Sequence, residues 1–235
     1  MNIVITGATK GIGKAIAEAF AEDRQGHTFY LCARNENVLQ TTAKELQGRF
    51  PRTNIFTKAC DIGQRESVAA FAAWILEAAD KIDVLVNNAG MFIPGSVEQE
   101  EDGALEKMMA VNLFGSYHLT RALLPVMKKN NSGHIFNICS IASIKAYNNG
   151  GAYSISKFAF YGFSQNLREE MKPHGIKVTS VLPGAVLTDS WNGFDNSGKR
   201  IMEASDIAKL VYASSHLSPQ ACVEEILVRP QLGDL

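Results

Sequence analysis

Short apolar runs alternate with helix-like stretches along all 235 residues, which predicts an α/β chain: one domain over residues 1–235, built as a doubly wound, parallel, seven-stranded sheet with helices on both faces. Three observations carry that reading. The alternation continues from end to end without an internal repeat or a linker. A glycine-rich turn joins the first strand to the first helix. Finally, Gly7, Asn88, Ser140 and Pro183-Gly184 all fall where strands end, the edge at which such sheets bind ligands.

The first strand is Asn2–Thr6, and helical periodicity follows over residues 14–23. Between them stands Thr6-Gly7-Ala8-Thr9-Lys10-Gly11-Ile12-Gly13. Glycines there let the backbone approach a pyrophosphate, and the free amides of a helix start supply an anion site. The G-x-x-x-G-x-G spacing departs from the usual G-x-G-x-x-G, so the turn alone is a weak signal. The second strand, Thr28–Ala33, leads to Arg34 and a helix through about Phe50. In a dinucleotide-binding sheet this strand end faces the adenosine ribose. Ala33 and Arg34, with Lys10 in the glycine turn, offer no carboxylate for a 2′-hydroxyl; the expectation is NADP(H) in preference to NAD(H), against the plainer reading of two solvated charges.

The third strand, residues 54–61, ends on Asp61, placed either to bond adenine amino groups or to cap the helix at about 66–79. The fourth, residues 83–87, closes on Asn87-Asn88-Ala89-Gly90, a turn without bulk that suits close passage of a cofactor. After a loop at 91–96, a long helical stretch runs to about Lys129, interrupted at Val111-Asn112-Leu113. Asparagine disfavours helix and needs partners when buried, so Asn112 is either structurally satisfied or functional. The fifth strand, 133–140, ends on the Ser140 hydroxyl. A sixth covers 176–182 and stops at Pro183-Gly184; residues 185–203 read as a flap rich in Gly, Asn and Ser with Trp191 and Phe194 as anchors. A helix at 204–216 and a seventh strand at 224–229 complete the chain.

The chemistry centres on Tyr153-Ser-Ile-Ser-Lys157. On a helix, residues four apart leave the same face, which sets a phenol beside an ammonium. A free tyrosine, with a pKa of about 10, is a poor acid–base group at neutral pH, and a neighbouring cation lowers that value. Ser140 is positioned to donate to the same substrate oxygen that Tyr153 protonates.

Composition narrows the function. Hydrophobic residues make up 46%, charged residues 20%, and the net charge is −1, which argues against a nucleic-acid-binding surface. Cys32, Cys60, Cys139 and Cys222 share no metal-ligand spacing, nor do the five histidines, so no catalytic metal is expected. Met1-Asn-Ile-Val-Ile-Thr enters a strand at once and no apolar run approaches bilayer length; the expectation is no membrane partner and a cytoplasmic location.

Taken together, Thr6-Gly-x-x-x-Gly-Ile-Gly13, Asn87-Asn-Ala-Gly90, Asn112, Ser140, Tyr153-x-x-x-Lys157 and Pro183-Gly184 with Thr188 resemble the short-chain dehydrogenase/reductase family, in its compact Rossmann-type form, over residues 1–230. The resemblance implies that Tyr153 is the general acid and that Ser140 polarises the carbonyl. It also implies that Lys157 binds the nicotinamide ribose and lowers the tyrosine pKa, and that Asn112 supports a water-mediated proton relay. Implied cofactor contacts are Gly7, Lys10, Gly11, Ile12, Gly13, Arg34, Asp61, Ile62, Asn88, Ala89, Gly90, Tyr153, Lys157, Pro183, Gly184, Val186 and Thr188. A closer likeness to bacterial sepiapterin-reductase-like members rests on Gly133-His-Ile-Phe136, Pro183-Gly-Ala-Val-Leu-Thr188 with Trp191, and the 223–234 ending.

The expected function is therefore NADPH-dependent reduction of a small-molecule carbonyl, or the reverse alcohol oxidation, in a pocket walled by Met91, Phe92, Ile93, Ile141, Ile144, Tyr147, Trp191 and Phe194. Sepiapterin, a diketone and a 3-oxoacyl thioester stay open as substrates. A dinucleotide-binding sensor is disfavoured by the intact Ser-Tyr-Lys set, and a sugar-nucleotide epimerase by the short chain. Relatives of this kind suggest a homodimer or homotetramer through the helices at about 100–130 and 152–172.

Overall fold

In a computed structural model, which describes residues 1–188, 191 and 193–233, the strands are β1 Asn2–Thr6, β2 Thr28–Ala33, β3 Asn54–Ala59, β4 Val84–Asn87, β5 Gly133–Ile138, β6 Ile176–Pro183 and β7 Glu225–Val228. They form one sheet in the order β3-β2-β1-β4-β5-β6-β7, every pair parallel. A parallel sheet needs a crossover between each pair of successive strands, and the helices supply it. These are α1 Gly11–Ala21, α2 Glu36–Arg49, α3 Arg65–Ala78, α4 Ala104–Met109, α5 Gly115–Lys129, α6 Gly151–Met171 and α7 Ala204–Ser215.

Alternate side chains of the buried strands feed two cores. On one face Ile3, Ile5, Val86 and Phe136 pack with Ile16 and Phe20 of α1, Leu39 and Leu46 of α2, and Ile207 and Val211 of α7. On the other, Val4, Leu85, Ile135 and Val178 pack with Phe71 and Ile75 of α3, Leu119, Leu123 and Met127 of α5, and Leu167 and Met171 of α6. The strand order reverses between β1 and β4. The crevice above their carboxyl ends is where this topology binds ligands.

Beyond shifts of a residue or so at other element ends, three features differ from the sequence reading, each for a local reason. β5 stops at Ile138, because Ser140 turns the chain into a 3-10 turn at Ile141–Ser143: its hydroxyl accepts the Ala142 N–H at 3.1 Å, and Ser143 Oγ accepts the Ser140 N–H at 3.2 Å. β3 stops at Ala59, and Asp61 neither ends a strand nor caps α3, whose N-cap is Gln64; the Asp61 carboxylate instead accepts the Gly63 N–H at 3.0 Å. The interruption at Asn112 is a single π turn, Ala110–Phe114, inserted between α4 and α5. Among the described residues no helix is long and apolar enough to cross a membrane.

Candidate active site

The carboxyl ends of β1 and β4 are stapled by side chains rather than by the strand ladder alone. Thr6 Oγ1 accepts the N–H groups of Asn88 and Ala89, each at 3.0 Å. The Asn88 amide donates to the Thr6 and Gly7 carbonyls at 2.9 and 3.1 Å. The glycine turn is thereby held against the Asn87–Gly90 turn.

Gly7 has φ +66°, and a Cβ there would stand 3.0 Å from both Ala89 Cα and Asn88 Nδ2. At Gly13, a Cβ would lie 2.6 Å from Asn88 Nδ2 and closer still to the Gly7 carbonyl. Thr188 comes to the same turn: its Cγ2 lies 3.1 Å from where a Gly11 Cβ would be. α1 starts here with no side-chain cap and no acid in its first turn, so its leading amides keep their full attraction for an anion. A turn packed to the limit of backbone contact, opening onto helix amides, fits a pyrophosphate-bearing cofactor.

The second cluster begins at Gly90. A Cβ on it would stand 3.3 Å from Asn112 Oδ1 and 3.7 Å from Lys157 Nζ. Asn112, buried in the π turn, grips the loop beyond: its Oδ1 accepts Met91 N–H at 2.8 Å, and its Nδ2 donates to the Met91 carbonyl at 3.0 Å and to Ser156 Oγ at 2.9 Å. Ser156 in turn donates to the Tyr153 carbonyl at 2.7 Å. π turns often mark functional sites, and this one swings an amide out of the helix to fix the segment facing Tyr153.

Lys157, buried on α6, donates to the Ile138 carbonyl at 2.9 Å, and its Nζ lies 5.9 Å from the centre of the Tyr153 ring. Phe92 meets that ring edge-to-face at 4.9 Å. Burial pushes the Tyr153 phenol above its ordinary pKa, while hydrogen bonding with the Ser140 hydroxyl pulls it down. Burial also lowers Lys157 to about 8. For both groups burial is the largest influence, raising the phenol and lowering the ammonium. Lys157 is buried and Tyr153 partly so, and loss of solvation disfavours the charged form of each.

The sequence pattern of the short chain dehydrogenase family matches residues 1–197. The chain belongs to that family. As a short-chain dehydrogenase it is an oxidoreductase, and its relatives match from end to end. It is 33% identical to the sepiapterin reductase of Chlorobaculum tepidum, covering 99% of this chain and 97% of that protein. Among solved structures, a metagenomic short-chain oxidoreductase in complex with NADP matches with a TM-score of 0.85 at 32% identity, over 98% of this chain and 97% of the other. An alcohol dehydrogenase from Thermococcus sibiricus complexed with 5-hydroxy-NADP gives 0.88 at 29%, over 98% and 96%.

The short-chain dehydrogenase fold brings Gly7, Gly11, Gly13, Asn88, Ala89, Gly90, Asn112, Lys157 and Thr188 into contiguous contact. Ser140 joins them through Tyr153. Other expected residues are occupied differently. Ile12, Ile62 and Val186 pack their side chains into the two cores, and the missing side chain of Gly184 makes room for Pro230, whose Cδ is 2.9 Å from the Cβ position. Pro183 is buried at the end of β6. Lys10 and Arg34 are exposed at the rim.

Among the expected pocket walls, Met91 and Ile93 pack beside Tyr153 with Met108 and Ala152, while Ile144 and Tyr147 are exposed. In the 185–203 segment Val186 bridges Met202, and Trp191 meets Phe194 edge-to-face at 5.3 Å; Asp189, Ser190 and Asn192 lie outside the described residues.

Sequence reasoning passed over Thr6, Ser156 and Glu100. Thr6 and Ser156 carry a recoverable signal, a hydroxyl ending an apolar strand and one beside the Tyr-Lys pair. Glu100 carries none, because it sits in the run Glu98-Gln99-Glu100-Glu101-Asp102 that reads as a solvated face.

Proposed function

We propose that this chain is an NADPH-dependent carbonyl reductase, running in reverse as an alcohol dehydrogenase, with Tyr153 as its general acid. The observation that carries the reading is an unbroken line of contacts: Gly7 to Asn88, Gly90 to Lys157 and Asn112, and Tyr153 to Ser140. It joins the anion-binding turn to the acid–base group. The dinucleotide would be held by Gly7, Lys10, Gly11, Ile12, Gly13, Arg34, Asp61, Ile62, Asn88, Ala89, Gly90, Tyr153, Lys157, Pro183, Gly184, Val186 and Thr188. When bound, its reduced nicotinamide supplies the hydride.

The chain's own groups manage the oxygen. Ser140 Oγ accepts the Ala142 N–H, so its one proton points to the Tyr153 oxygen, and a carbonyl oxygen arriving between the two would take that bond over. Tyr153, held protonated by burial, hands its proton to the same oxygen as charge develops there. Lys157 returns a positive charge to the pocket and feeds the proton relay. Asn112 has its amide fully engaged and serves that relay by positioning, not by proton transfer through its side chain.

Preference for NADPH over NADH rests on Arg34 at the end of β2, on Lys10, and on the lack of a carboxylate there; the NADP-bound relatives agree with it. Walls of Met91, Phe92 and Ile93 beside the phenol suit an apolar or planar carbonyl such as a sepiapterin-like pterin side chain or a diketone, with a 3-oxoacyl thioester as the alternative. Exposed Phe114, Ile155 and Phe158 on the face that carries α5 and α6 suit a homodimer or homotetramer, and the free thiols a reducing cytoplasm.

Replacing Tyr153 by Phe tests the acid directly: NADPH oxidation across a carbonyl panel should drop about 10²–10⁴-fold, and near-wild-type activity would discard the assignment. Replacing Arg34 by Ala should weaken NADPH by about tenfold more than NADH; equal effects would remove Arg34 from the 2′-phosphate site.

A further inference from the structure

α6 is a 21-residue helix that carries Tyr153 in its first turn, yet its own sequence does nothing to close its amino end. Gly150 at the N-cap offers no side-chain bond, and no acid stands in the first turn. The leading amides of a helix need partners, and a carboxylate is the strongest one. Here the partner arrives from another element. Glu100, on the segment between β4 and α4, accepts the Ala152 N–H through Oε1 at 2.7 Å. Ala152 is buried, and the next residue is Tyr153.

The surroundings are shaped for that carboxylate. A Cβ on Gly151 would fall on Glu100, 2.6 Å from its Cδ, and 2.7 Å from the Gly95 carbonyl. A Cβ on Gly95 would come within 2.5 Å of Glu100 Cγ. Two glycines, far apart in sequence, thus leave the passage through which Glu100 reaches the helix. Its backbone is anchored as well, since the Glu100 N–H donates to the Ser96 carbonyl at 2.9 Å. A second tie, Gly95 N–H to the Asn149 carbonyl at 3.2 Å, binds the same segment to the approach to α6. That segment already holds Phe92 against the Tyr153 ring.

We infer that Glu100 is a positioning residue for Tyr153: by closing α6 from the β4–α4 segment, it fixes where the phenol stands relative to the substrate side of the crevice. This rests on the reading of Tyr153 as the acid. A misplacement of about 1 Å in an acid–base group costs on the order of a hundredfold in rate, so losing the tie affects the chemical step more than binding.

The test is a series at position 100 in the full chain, reading kcat and KM, dinucleotide Kd by fluorescence titration, and Tm. In Glu100→Ala, kcat should fall about ten- to hundredfold while Kd stays within about twofold. Glu100→Gln keeps the accepting oxygen and should restore kcat to within about threefold of wild type, whereas Glu100→Asp, one methylene short, should behave like Ala. A kcat in Glu100→Ala within twofold of wild type would overturn the inference. So would a Kd that worsens in step with kcat, or a Gln variant no better than Ala.

Should Glu100→Ala not fold, Gly151→Ala displaces the carboxylate in a chain that keeps it. The same selective loss of kcat is expected there, and unchanged kcat overturns the inference. Tyr153→Phe serves as the reference. If it retains activity the acid assignment itself fails; if it is inactive while the Glu100 series is silent, only the positioning role fails.

Discussion

At the amino ends of the strands, Asp23 is half-buried among donors: His27 Nε2 at 2.8 Å, the Tyr212 hydroxyl at 3.1 Å and the Gln25 N–H at 2.8 Å. Burial alone would raise this carboxyl, but those bonds outweigh it and hold it below its ordinary range. At the carboxyl ends, Lys157 is more deeply enclosed, and among the described residues it pairs with no carboxylate. It donates to the Ile138 backbone carbonyl, and burial drives it down to about 8. One end pairs its half-buried charge and gains stability; the other keeps a buried cation without a carboxylate partner among the described residues, as the proposed acid–base site would use it. The difference shows that burial of a charge is not by itself a structural statement. What decides is whether the fold also brings the charge a partner.

If that contrast is right, the two ends should respond differently to mutation. The largest effect is expected from Gly13→Ala. Its Cβ would drive apart Asn88 and the Gly7 carbonyl, and dinucleotide affinity should fall by more than about tenfold, about 1.4 kcal/mol, when titrated. Unchanged affinity would mean the glycine turn is packing and nothing more.

Next comes the pH profile of kcat/KM for carbonyl reduction. Lys157 is lowered, so it is charged below about 8 and neutral above. Tyr153 is raised and keeps its proton through the same range. The profile should be flat below about 8 and decline above it, and a decline that survives Lys157→Met would assign it to another group.

The smallest effect belongs to the amino end. Asp23 has a lowered pKa, so its contribution to stability is present above the unfolded carboxylate value, about 3.9, and is lost as pH falls through and below it. Asp23→Asn should therefore cost about 0.5–1 kcal/mol at neutral pH, read as a Tm lower by a few degrees, with kcat unchanged. A change in kcat would dissolve the division between the two ends.

How much of this was written in the sequence depends on how local the cause is. Strand and helix alternation, the glycine turn and the Tyr-Lys spacing each arise within a few residues, so periodicity and residue type were enough to read them. Ser140 was read as a strand end because Ile138 and Cys139 are apolar. Its turn is made by its own hydroxyl reaching Ala142, a choice that an apolar run does not reveal. The burial acting on Tyr153 had a different cause. A neighbouring cation is visible as a spacing, whereas the cover of the phenol comes from Phe92, Met91 and Ile93 on another segment. Glu100 was invisible, since only the folded chain brings Gly95 and Gly151 to either side of it.

The π turn at Ala110–Phe114 has a consequence for redesign. A π turn holds one residue more than an α turn, so deleting a single residue there would restore a regular helix and remove the bulge that carries Asn112. Asn112 could not then face both Met91 and Ser156, and the loop it grips would come loose. Loop grafts that aim to change substrate range should therefore leave the residue count of 104–129 untouched, however freely they vary residues 92–99.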